Sequence, residues 1–172
     1  MKQNMTYTGV GSRLTPQRWL EAMTRIAKRL HDRGCTLRSG GAGGADKAFQ
    51  DGAGDLREIY VPWEGFNGLS SDQIGIRSGA CNNALQLAER IHPAWHKCSQ
   101  GARKLHARNT YQILGQDLDT PSDFMICWTP EGQMVGGTAT AIRLAQQHGV
   151  PVFNLGNPDD VAGFKSLLTE IE

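Results

Sequence analysis

The chain has 172 residues, enough for one domain with a real hydrophobic core, and its 18 basic and 17 acidic side chains leave a formal charge of +1. So even a balance makes no general electrostatic case for nucleic acid or an anionic membrane, although a local basic face stays open. Cys35, Cys81, Cys98 and Cys127 are widely spaced without a CxxC pair; they read as reduced thiols of a cytoplasmic protein, and neither a signal peptide nor an apolar run of membrane-spanning length is evident.

In chain order, Met5 to Thr8 reads as a first strand, closed by the glycine turn Gly9-Val10-Gly11-Ser12-Arg13. Thr15 and Pro16 then look like the N-cap and first residue of a helix, where proline's missing N–H costs nothing. Trp19, Leu20, Met23, Ile26, Ala27 and Leu30 recur at helical spacing, and Gly34 is placed to end that helix. Cys35–Arg38 is the next strand. It feeds SGGAGGADKAFQDGA, Ser39 to Ala53, in which four glycines fall within five residues just before a short helix. Arg57–Val61 is a third strand, closed by Pro62 and running into WEGFNG.

The middle is less regular. Ser78–Ile91 favours helix, with Ala84, Leu85, Leu87, Ala88 and Ile91 inward and Pro93 as the breaker, and a second helix is expected from Ser99 to about Leu118. Asp123–Trp128 is a nearly continuous apolar run, as a strand buried on both faces requires. The loop 129–137, a helix over 138–148, a strand over 150–155 and a final helix to Ile171, capped by Asp159 or Asp160, complete the pattern. Strands alternating with helices imply a single α/β, Rossmann-like domain over residues 1–172. Its sheet is mainly parallel, of about five or more strands, with helices on both faces.

In such a sheet ligands sit at the carboxyl ends of the strands. Three glycine-bearing loops, at Gly9–Arg13, Gly40–Asp46 and Gly136–Thr140, each follow a strand and precede a helix, so all three converge on one edge. Free N–H groups and the positive end of a helix favour a phosphate there, although neither GxGxxG nor GxxxxGK[ST] is present. The candidate phosphate and nucleotide contacts are Gly9, Gly11, Ser12, Arg13, Ser39, Gly40, Gly41, Ala42, Gly43 and Asp46 on the first two loops. Gly136, Gly137, Thr138 and Thr140 are the candidates on the third, with Trp63 and Phe66 as stacking surfaces for a base. Arg103, Lys104, His106 and Arg108 form a basic concentration, and meet phosphates or are merely solvated.

Asp46, Glu64 and Glu131 are the carboxylates beside the loops and the candidate catalytic groups. Asp46 equally well stabilises a helix dipole, and Glu131 equally well is a solvated loop residue. Trp63 and Phe66 around Glu64 are expected to raise its pKa toward that of a proton donor, or else to frame an ordinary turn. HPAWHKC offers His92, His96 and Cys98, but no fourth ligand or second pair, so no metal and no cofactor is expected. Asp117, Asp119 and Asp123 read as solvated loop and cap residues.

With these loops in place, the sequence resembles the SLOG superfamily, which includes the DNA-processing protein A (DprA, or Smf) family and the "lonely guy" nucleoside 5′-monophosphate phosphoribohydrolases. TGVGSR is similar to the first turn of these proteins and SGGAGGAD to the SGGA-x-GxD loop of the DprA family. The run from Asp123 to Leu155 is similar to their strand, glycine–threonine loop, helix and final strand. With the PW-x-GFN segment, the order is most like small DprA-related proteins of phage and prophage. The resemblance implies a phosphate-bearing nucleotide ligand, frequent homodimers, and one of three activities: hydrolysis of an N-glycosidic bond, single-stranded DNA binding, or non-catalytic sensing of a signalling nucleotide. The phosphoribohydrolase signature PGGxGTxxE ends in a glutamate, whereas the corresponding position here is Arg143. A guanidinium opposes the oxocarbenium-like charge that a carboxylate stabilises, so that role does not carry over by position. Arg108 and Asn109 are similar to an RN pair of the DprA family, which implies a part for both in the site.

Overall fold

A computed structural model describes residues 4–171. Six short strands form a wholly parallel sheet: β1 (Thr6–Gly9), β2 (Thr36–Ser39), β3 (Arg57–Val61), β4 (Ile76–Ser78), β5 (Phe124–Cys127) and β6 (Val152–Asn154). Their spatial order is β4-β3-β2-β1-β5-β6. The chain builds outward from β1 as far as β4, then returns to the other side of β1 for β5. The switch point therefore lies between the carboxyl ends of β1 and β5, and Tyr7 pairs with Phe124 and Gly9 with Ile126 along that seam.

The helices are α1 (Gln17–His31), α2 (Ala45–Gly52), α3 (Asn82–Ile91), α4 (Gln100–Leu114), α5 (Gly136–Gln147) and α6 (Pro158–Ile171). Alternation along each strand sorts side chains to two faces. Tyr7, Leu37, Ile59, Val61, Phe124 and Ile126 pack with residues of α1, α2 and α6 in an apolar layer, where Tyr7 stacks on Phe124 with ring centroids 5.7 Å apart. Met125 and Cys127 meet α4 and α5 on the other face, and Tyr60 stacks on Tyr111 of α4 at 5.4 Å. That second face also buries polar groups with partners: Thr8 Oγ1 donates to Gln112 O at 2.5 Å, and Arg38 Nε donates to Glu58 Oε2 at 2.9 Å.

Three expectations change. Thr15 does not cap α1: its hydroxyl donates to Ser12 O at 2.5 Å, Pro16 is extended (ψ 147°) at the cap position, and the helix starts at Gln17. Ile76–Ser78 forms the edge strand β4 where the sequence pattern starts a helix at Ser78, and α3 begins only at Asn82. Helix α4 stops at Leu114 rather than near Leu118, because Gly115 takes φ 74° and ψ 178°. A strand of three residues with Arg77 and Ser78 exposed has no periodic signature, and a single glycine is ambiguous until its φ is known.

Candidate functional site

The first two glycine loops form one body. Ser39 Oγ donates to Gly9 O at 2.6 Å, tying the end of β2 to the end of β1. A Cβ on Gly11 would lie 2.8 Å from the Ala45 Cβ, and one on Gly44 (φ 73°) 2.8 Å from the Arg13 Cα. Glycine is required at both positions by this close backbone approach. Ser12 N donates to Trp128 O at 3.3 Å, so the joined loops also lean on the end of β5 across the switch point.

Asp46, in the first turn of α2, is only 4% exposed. Its Oδ2 accepts the Ala42 amide at 3.3 Å, and the amides of Gly40 and Gly11 also bond to the carboxylate. The position an external anion would take among these N–H groups is thus filled from within. Burial raises the Asp46 carboxyl above the ordinary aspartate range; the Arg108 guanidinium and the three amides pull the other way. Arg108, 7% exposed on α4, donates through Nη1 to Gly40 O and through Nε to Leu105 O, and its guanidinium lies 5.7 Å from the centroid of Phe66. The Gln112 amide stands beside it, where a Cβ on Gly40 would collide with both side chains. From outside, Asn67 Nδ2 donates to Gly41 O at 3.0 Å. Phe66 therefore covers the buried pair, and Trp63, 40% exposed, meets it edge-on at 5.3 Å.

The third loop is built differently. Gly136 (φ 67°) and Gly137 are exposed, and a Cβ on either would meet nothing within 4 Å. No side chain among the described residues caps α5, and Thr140 is buried (3% exposed) in its second turn. One bond connects the loop to α4, from Asn109 Nδ2 to Gly137 O at 3.4 Å. Adjacent residues on α4 thus reach two different loops: Arg108 the Gly40 loop and Asn109 the Gly137 loop.

The two exposed candidate carboxylates part company. Glu64 accepts from Ser71 N at 2.8 Å and is bonded to Ser78, and these contacts hold its carboxyl below the ordinary glutamate range. The expected upward shift is therefore reversed: Glu64 is exposed, and its bonds to Ser78 and Ser71 outweigh the little desolvation it feels. Glu131, in a left-handed turn (φ 54°), lines a groove of about 570 Å³ with Arg18, Trp19, Trp128 and Leu155. Sequence reading missed this groove. Trp19 reads as core from its spacing, and only the fold brings it to the end of β5.

Arg13 is exposed at the outer end of the first loop, and Lys104 is exposed one helical turn before Arg108. In HPAWHKC, His96 is exposed, while His92 and Cys98 turn toward His106 of α4. Asp117 Oδ1 and Oδ2 accept from Asp119 N and the Thr120 hydroxyl, a local loop arrangement as expected.

No family model matches the chain, and neither does any curated protein. Solved structures do. DNA processing protein A from Helicobacter pylori, described for its single-stranded DNA binding mode, is similar with a TM-score of 0.61 and 21% identity, over 95% of this chain and 73% of that one. The Moco carrier protein of Chlamydomonas rheinhardtii is similar with a TM-score of 0.53 and 16% identity, over 97% of this chain and 85% of that one. Both likenesses establish a shared Rossmann-like fold. No helix among the described residues is long and apolar enough to cross a membrane.

Proposed function

We propose that this chain is a SLOG-type domain that binds single-stranded nucleic acid by its sugar–phosphate backbone along the carboxyl edge of the sheet. The observation that carries this reading is the contrast between the floor and the rim of the site. Asp46 and Arg108 fasten the first two glycine loops from beneath, while Arg13, Gly43, Gly136 and Gly137 stay exposed around them. An open rim suits a continuous strand better than a mononucleotide, which gains most from enclosure. Arg13 and Lys104 supply cations for phosphates, and the exposed Trp63 offers a face to a base. The fold shared with a protein described as binding single-stranded DNA supports the same reading.

The test is fluorescence anisotropy with a labelled oligothymidylate. Affinity falls with salt, with a log–log slope of roughly −0.7 per phosphate neutralised. Arg13→Ala and Lys104→Ala each weaken binding and make the slope shallower without lowering Tm. Affinity that ignores salt, or no binding at all, overturns the reading.

One observation favours a second reading, hydrolysis of a nucleoside 5′-monophosphate to free base and sugar phosphate. Glu131 lies in a groove walled by Trp19 and Trp128, where two indoles can hold a base and a carboxylate can stabilise ribosyl cation character. Chromatography of a panel of ribo- and deoxyribonucleoside 5′-monophosphates detects it. Base release abolished by Glu131→Gln supports this second reading, and no release from any of them rejects it for those substrates.

A further inference from the structure

We propose that His92, Cys98 and His106 bind one divalent transition-metal ion of the zinc class, clasping the outer end of the α3–α4 hairpin. Three separate pieces of chain deliver these residues. His92 follows α3 directly, where Pro93 prevents another helical turn. Trp95–Lys97 make one tight turn, and Cys98 precedes Ser99, whose hydroxyl caps α4 by accepting the Ala102 amide at 3.1 Å. His106 comes from the second turn of α4, eight positions beyond Cys98. Their ligand atoms all lie within 4.8 Å of one another.

The finer geometry fits an ion. Cys98 Sγ is 3.8 Å from His92 Nε2 and 3.9 Å from His92 Nδ1, and the two imidazole centroids are 4.4 Å apart. Zinc–nitrogen bonds of about 2.0–2.1 Å and zinc–sulfur bonds of about 2.3 Å put tetrahedral ligand atoms roughly 3.3–3.6 Å apart. The cluster therefore closes onto an ion by side-chain adjustments of about an ångström or less. His106 Nδ1 is buried and has no hydrogen-bond partner among the described residues, so the cluster contains a lone pair or N–H that the protein leaves unmatched. His92 Nδ1 accepts the Ala94 amide at 3.1 Å. An ion at Nδ1 displaces that amide; an ion at Nε2 requires the ring proton to move to Nδ1, which gives up the Ala94 bond in the same step and leaves the imidazole neutral.

Two imidazoles and a thiolate select zinc-like ions over magnesium or calcium, which require oxygen ligands. All three residues are half-buried, which leaves a fourth position for water. On binding, the Cys98 thiol proton passes to solvent. His106 is two residues from Arg108 and three from Asn109, so the clasp holds the part of α4 that reaches both glycine loops.

The experiment titrates the metal-free full chain with Co²⁺ alone. Binding of one equivalent with thiolate-to-cobalt charge transfer and the intense visible bands of tetrahedral cobalt is expected, with Zn²⁺ displacing it and raising Tm. Cys98→Ser removes the charge-transfer band. His106→Ala weakens binding by at least the roughly 10–100-fold that loss of an outer-shell partner costs, whereas His96→Ala changes nothing. If either variant misfolds by circular dichroism, the wild-type spectrum decides: weak octahedral bands at one equivalent overturn the proposal. So does a charge-transfer band that survives in folded Cys98→Ser.

Discussion

The Gly40–Asp46 and Gly136–Thr140 loops look alike as sequence, yet the fold uses their glycines for opposite ends. In the first, glycine makes room for protein: Gly40 lies against Arg108 and Gln112, Gly41 faces Leu69 and Val61, and Gly44 lies on Arg13. In the second, a Cβ on Gly136 or Gly137 meets no neighbour among the described residues, and the Asn109 bond ties the loop to α4. A glycine cluster therefore marks where backbone must approach something. It does not say whether that something is the protein itself or a ligand.

The sharpest way to break this contrast is at the buried pair. Arg108→Met leaves the buried Gly40 carbonyl without its donor and the Asp46 carboxylate without the guanidinium's charge, and a loss of about 3 kcal/mol in urea denaturation is expected. Asp46→Asn is expected to cost less than Arg108→Met, because the amide keeps the shape and carries no charge. The double variant loses less than the sum of the two, as coupled groups should. Next comes glycine itself. Gly40→Ala forces the buried Arg108 and Gln112 side chains aside and should cost about 1–3 kcal/mol, whereas Gly137→Ala should be neutral or stabilise by about 0.4–1 kcal/mol. Equal losses at the two positions would erase the distinction between the loops.

The smallest effect lies away from both loops, where His31 Nε2 of α1 is 3.1 Å from Asp55 Oδ1. The bond to Asp55 raises the His31 pKa and the bond to His31 lowers that of Asp55. For His31 the contribution is full below its unfolded pKa and is lost as pH rises through the raised folded value. For Asp55 it is full above the unfolded pKa and is lost as pH falls through the depressed one. Stability from this exposed pair is thus greatest between about pH 4 and about pH 6.5. His31→Gln should flatten a small hump in Tm over that window and leave the loop variants' effects unchanged.

Much of the scaffold was legible because helix and strand periods are local. The α1 stripe placed Met23, Ala27 and Leu30 in the core, and the run Phe124–Cys127 is buried on both faces as expected. The site was only half legible. Gly9–Arg13 and Gly40–Asp46 were read as neighbours and are in contact, but Asp46 and Glu64 reach opposite environments that no local pattern distinguishes. The Trp19–Trp128 groove could not be seen because it joins residues far apart in the chain, and the partnership of His106 with His92 and Cys98 could not because it depends on how the turn after Pro93 folds back onto α4.

What the sequence determined by itself is the alternation of strand and helix, hence the parallel sheet and the edge where the glycine loops gather, because these follow from steric and hydrophobic rules acting over a few residues. Tertiary structure alone decided which amides are already matched by Asp46, which carboxylates stay in water and which histidine joins Cys98. Burial and pairing depend on what the folded chain brings within a few ångströms, and that distance is set by packing rather than by position along the chain.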